Sequence, residues 1–311
     1  SQVDGATALT GADINGEAIT MVPLSIAIET GDITGPPFGR ANGYVDYIKA
    51  TFSAPIEDAT FDDADFTVAG HVVSTFVPTY NGDAPDDAVA YLIVDDAVSR
   101  TDATPNVTYA IGTMIVSADG ESAVPVFGPT TPTDAAPPAP MSVITVDADG
   151  NGKLDGLNIQ LTEGLAGAST TTGAGLTVVG YEVASASIAA GPAPWNGVNS
   201  LWQIVLTELD DYDTGAKPNY TYNAAAGTLG DGTNGVLTFN QLNIPVSDMA
   251  APTVVHAKTH DLNDNGQFDT LEIGFSENIQ LDPNQAGLTE ADLVDNGGVA
   301  GEGFEFGAAH T

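Results

Sequence analysis

Asp147-Ala148-Asp149-Gly150-Asn151-Gly152-Lys153-Leu154-Asp155-Gly156-Leu157-Asn158-Ile159-Gln160-Leu161-Thr162-Glu163 joins two signals in one stretch. It opens with side-chain oxygens at positions 1, 3, 5 and 9 of a short loop and a glycine at 6. A hard cation takes six to eight oxygens, and the glycine turns the chain so that the carbonyl at position 7 faces inward. Asp147, Asp149, Asn151 and Asp155 are therefore candidate side-chain ligands, with Lys153 offering its carbonyl. Leu157 to Leu161 then alternates apolar and polar residues, the period of a strand with one buried face. The alternative is a turn rich in Asp, Asn and Gly, which such residues form without metal.

The pattern returns at Asp261-Leu262-Asn263-Asp264-Asn265-Gly266-Gln267-Phe268-Asp269, again followed by an alternating run, Leu271 to Phe275. Here the candidate ligands are Asp261, Asn263, Asn265 and Asp269, with the Gln267 carbonyl. Glu272 falls at position 12, where helix-type calcium loops place a bidentate Glu; its counterpart in the other copy is Asn158. A third copy keeps only its second half, Asn42-Gly43-Tyr44-Val45-Asp46, ahead of the strand pattern Tyr47 to Phe52. Gly35-Pro36-Pro37-Phe38-Gly39-Arg40 interrupts its first half, and the Arg40 charge would compete with a cation. Asp32 is the candidate for the missing acid beside Asn42 and Asp46, so this site reads as degenerate.

Further markers keep step with the loops. Asp65-Phe66-Thr67-Val68-Ala69-Gly70 pairs with Gly175-Leu176-Thr177-Val178-Val179-Gly180, and more loosely with Asp292 to Gly297. Tyr91 to Val94 pairs with Trp202 to Val205, and Pro105-Asn106-Val107-Thr108-Tyr109 with Pro218-Asn219-Tyr220-Thr221-Tyr222. Short alternating runs punctuated by Gly, Pro, Asn and Asp make the class all-β; Asn284 to Leu293 is the one place with room for a helical turn or two. A spacing of about 110 residues is the size of one immunoglobulin-like antiparallel sandwich. The expected layout is tandem immunoglobulin-like antiparallel β-sandwiches at 22–135, 136–249 and 250–311, after an N-terminal segment 1–21.

The linkers repeat as well, as Asp134-Ala135-Ala136-Pro137-Pro138-Ala139-Pro140 and Asp248-Met249-Ala250-Ala251-Pro252. Proline-rich joins are stiff and extended. In a sandwich the loop after the first strand lies at the pole where the last strand leaves, so the loop near Asp32 belongs beside Asp134 and the loop from Asp147 beside Asp248. Both linker acids are candidate ligands at the domain junctions; the bland alternative is that each starts a turn. The third unit stops short of the later strands. That points to a longer chain or to completion by a donated strand from a neighbouring subunit. Residues 1–21 offer such a strand around Glu17 to Val22, or are the tail of a preceding domain.

The 311 residues carry 42 acids against 6 Lys and Arg, a net charge of −36. Nothing on such a chain neutralises phosphates, which disfavours nucleic acid and anionic lipid as partners and favours cations. High-salt solubility is the competing reason for that charge. Hydrophobic residues make up 42% of the chain, so this is not a disordered acidic tail. No apolar run reaches the roughly 18 residues of a membrane span. No secretory signal stands at Ser1, which suits either a mature chain or one cut from something longer. Cysteine is absent, so disulfides hold nothing together.

Other groups carry weaker signals. His256 and His260 have zinc spacing on a helix, but on a strand they stand about 13 Å apart. Asp62-Asp63, Asp95-Asp96 and Asp210-Asp211 lack the framing motifs of a hydrolase. Asn106 and Asn219 lie in Asn-x-Thr sequons at equivalent positions and are glycosylation candidates. Trp195 is a candidate glycan or neighbour contact; burial is the commoner fate of a Trp. Tyr109 and Tyr222 read as core or corner residues.

The phrase Asp248…Ala251-Pro252, the Asp261 to Asp269 loop and Phe275-Ser276-Glu277 resembles bacterial and archaeal surface proteins built from tandem Ig-like repeats. The second unit carries the last element as Leu161-Thr162-Glu163; the first has Phe52-Ser53-Ala54 and lacks the acid. The resemblance implies an exported, extracellular rod stiffened by Ca2+. The expectation is a non-enzymatic structural subunit of a surface layer or filament that self-assembles. The alternatives are an adhesin or glycan-binding stalk, and the spacer region of a large secreted hydrolase.

Overall fold

The computed structural model describes residues 2–3, 9–12, 18–32, 42–74, 83–95, 98–110, 112–192 and 199–279. Their regular structure is almost entirely β, with an α-helical turn at Ser169–Thr172 and 3-10 turns at Asp58–Thr60 and Asp63–Asp65. Residues 284–293, where the sequence allowed a helical turn, lie outside the described residues, as does Trp195.

Two sheets share the first core. One runs in the order Gln2–Val3, Ile26–Gly31, Tyr47–Phe52, Val89–Ile93, and the other in the order Phe127–Thr130, Val107–Tyr109, Phe66–Val68. In Tyr47–Phe52 the buried residues are Ile48, Ala50 and Phe52, as a period of two requires. They meet Ile26, Ile28 and Leu92 from their own sheet and Phe66, Val107, Tyr109 and Phe127 from the facing one.

A second core is built the same way. Its larger sheet has the order Val183–Ala189, Leu201–Leu206, Gly156–Leu161, Pro140–Val146, Val246–Ser247, and the smaller one Leu176–Val178, Tyr220–Tyr222, Phe239–Asn240. Leu157, Ile159, Trp202 and Ile204 pack against Tyr220, Tyr222 and Phe239. Gly156–Leu161 is paired on both edges, and all its residues except Asn158 are buried. Gln160, on the face away from that core, is only 2% exposed, and its Nε2 donates to the carbonyls of Leu161 and Ser200.

Each core is closed by a tyrosine that reaches back to its own loop. The Ile115 N–H donates to the Tyr109 hydroxyl at 3.2 Å, and the Leu229 N–H donates to that of Tyr222 at 2.9 Å. Trp202, like both tyrosines, is fully buried.

After Pro252 the described chain is one antiparallel hairpin, Val254–His260 with Thr270–Phe275. Gln2–Val3 adds antiparallel to Ile26 and Ala27, and Ala18–Pro23 runs parallel to Ser122–Ala123. Gln2–Val3 thus extends the first sheet, since an open edge accepts any extended segment that offers N–H and C=O groups, while Leu9–Ala12, Ala18–Pro23 and Ser122–Ala123 form a three-stranded sheet of their own.

Candidate cation loops and unit junctions

The three loops share one backbone frame. In the second unit the carboxylate of Asp147 accepts the N–H groups of Asn151 and Gly152 at 3.2 and 2.9 Å. In the third, Asp261 accepts those of Asn265 and Gly266 at 3.2 and 2.7 Å. In the first, Asp32 accepts those of Asn42 and Gly43 at 3.2 and 2.8 Å. Asp32 thus stands where Asp147 and Asp261 stand, despite the interrupting segment. The closing acids match too: the Asp46, Asp155 and Asp269 N–H groups donate to Gly31, Val146 and His260 carbonyls at 2.8, 3.0 and 2.7 Å. Gly43, Gly152 and Gly266 have φ of +88°, +92° and +84°, the left-handed region that glycine enters without steric cost.

Occupancy of the frame differs. In the second loop one carboxylate oxygen each from Asp147, Asp149 and Asp155 lies within 4.8 Å of the others, a spacing a cation can span. Asn151 donates through Nδ2 to Asp149 and to Glu208, both at 3.1 Å, while its Oδ1 accepts the Lys153 N–H at 2.9 Å. Glu208 brings a further acid to this loop that its sequence neighbours did not suggest. Asn265 accepts the Gln267 N–H in the same way at 2.8 Å. In the third loop Asn263 Nδ2 approaches Asp269 at 3.4 Å.

Glu272 is drawn away from the third loop. Its carboxylate sits between His256 and His260, with Nε2 distances of 3.1 and 2.9 Å. The reason is register. Lys258 is directly opposite Glu272, so the residues two positions either side of Lys258 flank the acid on one face of the hairpin. The two histidines hold the carboxyl below its usual range.

The first loop is enclosed. Asp32 and Asp46 are 6% and 0% exposed, and burial, with the Asp46 charge beside it, pushes the Asp32 carboxyl up to about 7. Arg40 lies outside the described residues. The Leu154 N–H donates to Asp213 Oδ1 at 2.7 Å, whereas its counterpart in the first unit, the Val45 N–H, donates to the Ser99 carbonyl at 2.8 Å, and the neighbouring Arg100 guanidinium lies over the Tyr44 ring.

The linker acids sit beside these loops. Asp134 Oδ1 accepts from the Thr30 hydroxyl at 3.4 Å, and Asp248 Oδ1 from the Thr145 hydroxyl at 3.5 Å. Each threonine is two residues ahead of its loop's first acid. Asp134 Oδ1 also accepts the Ala136 N–H, which starts the turn into the linker.

The next unit docks on the same pole, twice, with the same contacts. Thr162 Oγ1 lies 2.6 Å from Thr101 Oγ1 and accepts the Ala139 N–H at 3.0 Å. Ser276 Oγ lies 2.6 Å from Thr214 Oγ1 and accepts the Thr253 N–H at 2.9 Å. The loop glycines are part of these contacts. A Cβ on Gly43 would meet Thr162 at 2.5 Å and Met141 at 2.8 Å, and one on Gly152 would meet Ser276 and Tyr212 at 3.1 Å. Glu163 and Glu277, next to the docking hydroxyls, are both raised by burial, Glu163 to about 8.

Asn106 and Asn219 are exposed and lead into equivalent strands, their carbonyls accepting the N–H groups of Ala69 and Val179 at 2.9 and 2.8 Å. Of the paired acids, Asp62 caps a short turn through the Ala64 N–H, and Asp95 accepts from Val72 and contacts His71. Among the described residues no helix is long and apolar enough to cross a membrane.

The chain matches no protein-family model, and no curated protein or solved structure is significantly similar to it.

Proposed function

We propose that this chain is a non-enzymatic structural subunit of an extracellular surface layer or filament, built from immunoglobulin-like sandwiches whose poles are stiffened by Ca2+. The observation that carries the reading is the repetition of one pole. Loop acid, left-handed glycine, linker Asp and docking hydroxyl recur at Asp32, Gly43, Asp134 and Thr162, and again at Asp147, Gly152, Asp248 and Ser276. A repeated pole that receives the next unit is what a rod needs, whereas a catalytic site needs one distinctive constellation.

The donor sets favour calcium. Asp147, Asp149, Asn151 and Asp155 with the Lys153 carbonyl, and Asp261, Asn263, Asn265 and Asp269 with the Gln267 carbonyl, are all oxygen donors, as a hard cation requires. The cation neutralises acids that otherwise repel one another in a chain of net charge −36. The first loop, with Asp32 and Asp46 enclosed and Arg100 nearby, is the degenerate member.

Electron microscopy of the full chain in millimolar calcium and in chelator tests this reading. Ordered layers or filaments that form with calcium and dissolve in chelator support it. Dispersed particles in both conditions reject it, and binding to a glycan array would then favour the adhesin reading.

A further inference from the structure

Apart from the loops, one acidic cluster lies between the first and second units. Asp134 comes from the linker, Glu163 from the end of the strand that follows the second loop, and Asp231 from the turn Asp231-Gly232-Thr233-Asn234. One carboxylate oxygen from each lies within 4.8 Å of the others.

A second observation points to a ligand. Glu163 is only 5% exposed, and its Oε1 is buried without a hydrogen-bond partner among the described residues. A buried carboxylate oxygen with no donor is costly unless something neutralises it. The charges nearest to Glu163 are those of Asp134, Asp231 and Asp102, all negative, and burial with this repulsion lifts its carboxyl to about 8.

The other two acids are held in place. Asp134 Oδ1 accepts from Thr30 and Ala136, and the Asp134 carbonyl receives Asn234 Nδ2 at 3.4 Å. Asp231 accepts the N–H groups of Thr233 and Asn234 through Oδ1 and Asn234 Nδ2 through Oδ2. Thr101 hydrogen-bonds the Glu163 carboxylate but leaves Oε1 without a donor. Two fixed acids, one from the linker and one from a turn, thus close on a buried carboxylate oxygen that lacks a partner and form a preorganised oxygen cage.

We infer that Asp134, Glu163 and Asp231 bind a divalent cation of the calcium class that ties the linker to the second unit. The site uses none of the loop ligands proposed above, so it stands or falls separately from them, while sharing the reading that cations stiffen the junctions. Three carboxylates supply part of the shell, and water completes the six to eight oxygens. Glu277 lies near Asp248 at the second junction, where Lys217 supplies positive charge instead.

The test is calcium titration calorimetry on the full chain, in the parent and in a background carrying Asp147→Asn, Asp149→Asn, Asp155→Asn, Asp261→Asn and Asp269→Asn. The expected result is one calcium site surviving in that background, lost or weakened at least tenfold by Glu163→Gln. Asp231→Asn, at a more exposed position, is the second variant in case the first unfolds. Unchanged affinity and stoichiometry on both substitutions would overturn the site and show that Glu163 is simply protonated. Full stoichiometry in the loop-substituted background would instead reject the loop sites and leave the junction site standing.

Discussion

Thr162 and Thr101 meet hydroxyl to hydroxyl at 2.6 Å across the first junction, with both residues buried. Thr162 also accepts the Ala139 N–H. Replacing Thr162 with Val keeps the shape but leaves one buried hydroxyl and one buried amide without this partner. The expected loss is about 1–3 kcal/mol, read as a lower denaturant midpoint. Ser276→Ala should act in the same direction at the second junction. A Thr162→Val protein as stable as the parent would mean that the two units do not dock through this pair.

Gly43, Gly152 and Gly266 differ in what surrounds them, although all three have positive φ. Gly266→Ala meets no atom within 4 Å, so it carries only the left-handed strain of about 1–2 kcal/mol. Gly43→Ala adds overlap with Thr162 and Met141, and Gly152→Ala adds closer packing on Ser276 and Tyr212. The melting temperature should therefore fall furthest for Gly43→Ala and least for Gly266→Ala. Equal losses would show that the glycines serve the turn alone.

Asp147 and Asp149 separate folding from ion binding. Asp147 accepts the N–H groups of Gly150, Asn151 and Gly152, whereas Asp149 holds only Asn151. Asp149→Asn is expected to leave the calcium-free melting temperature nearly unchanged and to reduce the rise on adding calcium. Asp147→Asn should lower both. At a hundredfold excess over Kd a site adds about 2.7 kcal/mol, which differential scanning fluorimetry resolves.

Asp83 gives a pH signature away from the proposed sites. Burial, with the charges of Asp87 and Asp58, raises its carboxyl to about 6, and Asp58 is itself raised by burial. The Asp58 N–H donates to the Asp86 carboxylate at 3.1 Å, and the Asp86 N–H donates to that of Asp58 at 3.2 Å. A folded pKa above the unfolded value of about 3.9 means that the folded state holds the proton more tightly. Its contribution is full below about pH 4 and is lost as pH rises through about 6. In chelator, stability should fall across that window, and Asp83→Asn should flatten the fall. An unaltered slope would place the pH dependence elsewhere.

The all-β class was legible in the alternation of Tyr47 to Phe52 and Leu157 to Leu161, because period two and glycine punctuation act locally. The loop frame was legible for the same reason: Asp147 and Asp261 hold residues only a few positions away. Asp32 was legible only through the repeat, since the segment between it and Asn42 hides the spacing. The contacts of Glu272 with His256 and His260 were not legible, because they are set by cross-strand register and not by loop position. Glu163 was visible as the end of a repeated phrase but not as a site. Asp231 joins it through tertiary packing, and the Asp-Gly pairs Asp119-Gly120 and Asp231-Gly232, in register ahead of Phe127 and Phe239, were the available signal.

Small-angle scattering of the full chain with calcium and with chelator tests the central claim, that cations fix each unit against the next. The account predicts a stiff, single-conformation profile in calcium and a broader, flexible one after chelation, restored when calcium is returned. Superimposable profiles in the two conditions would contradict it.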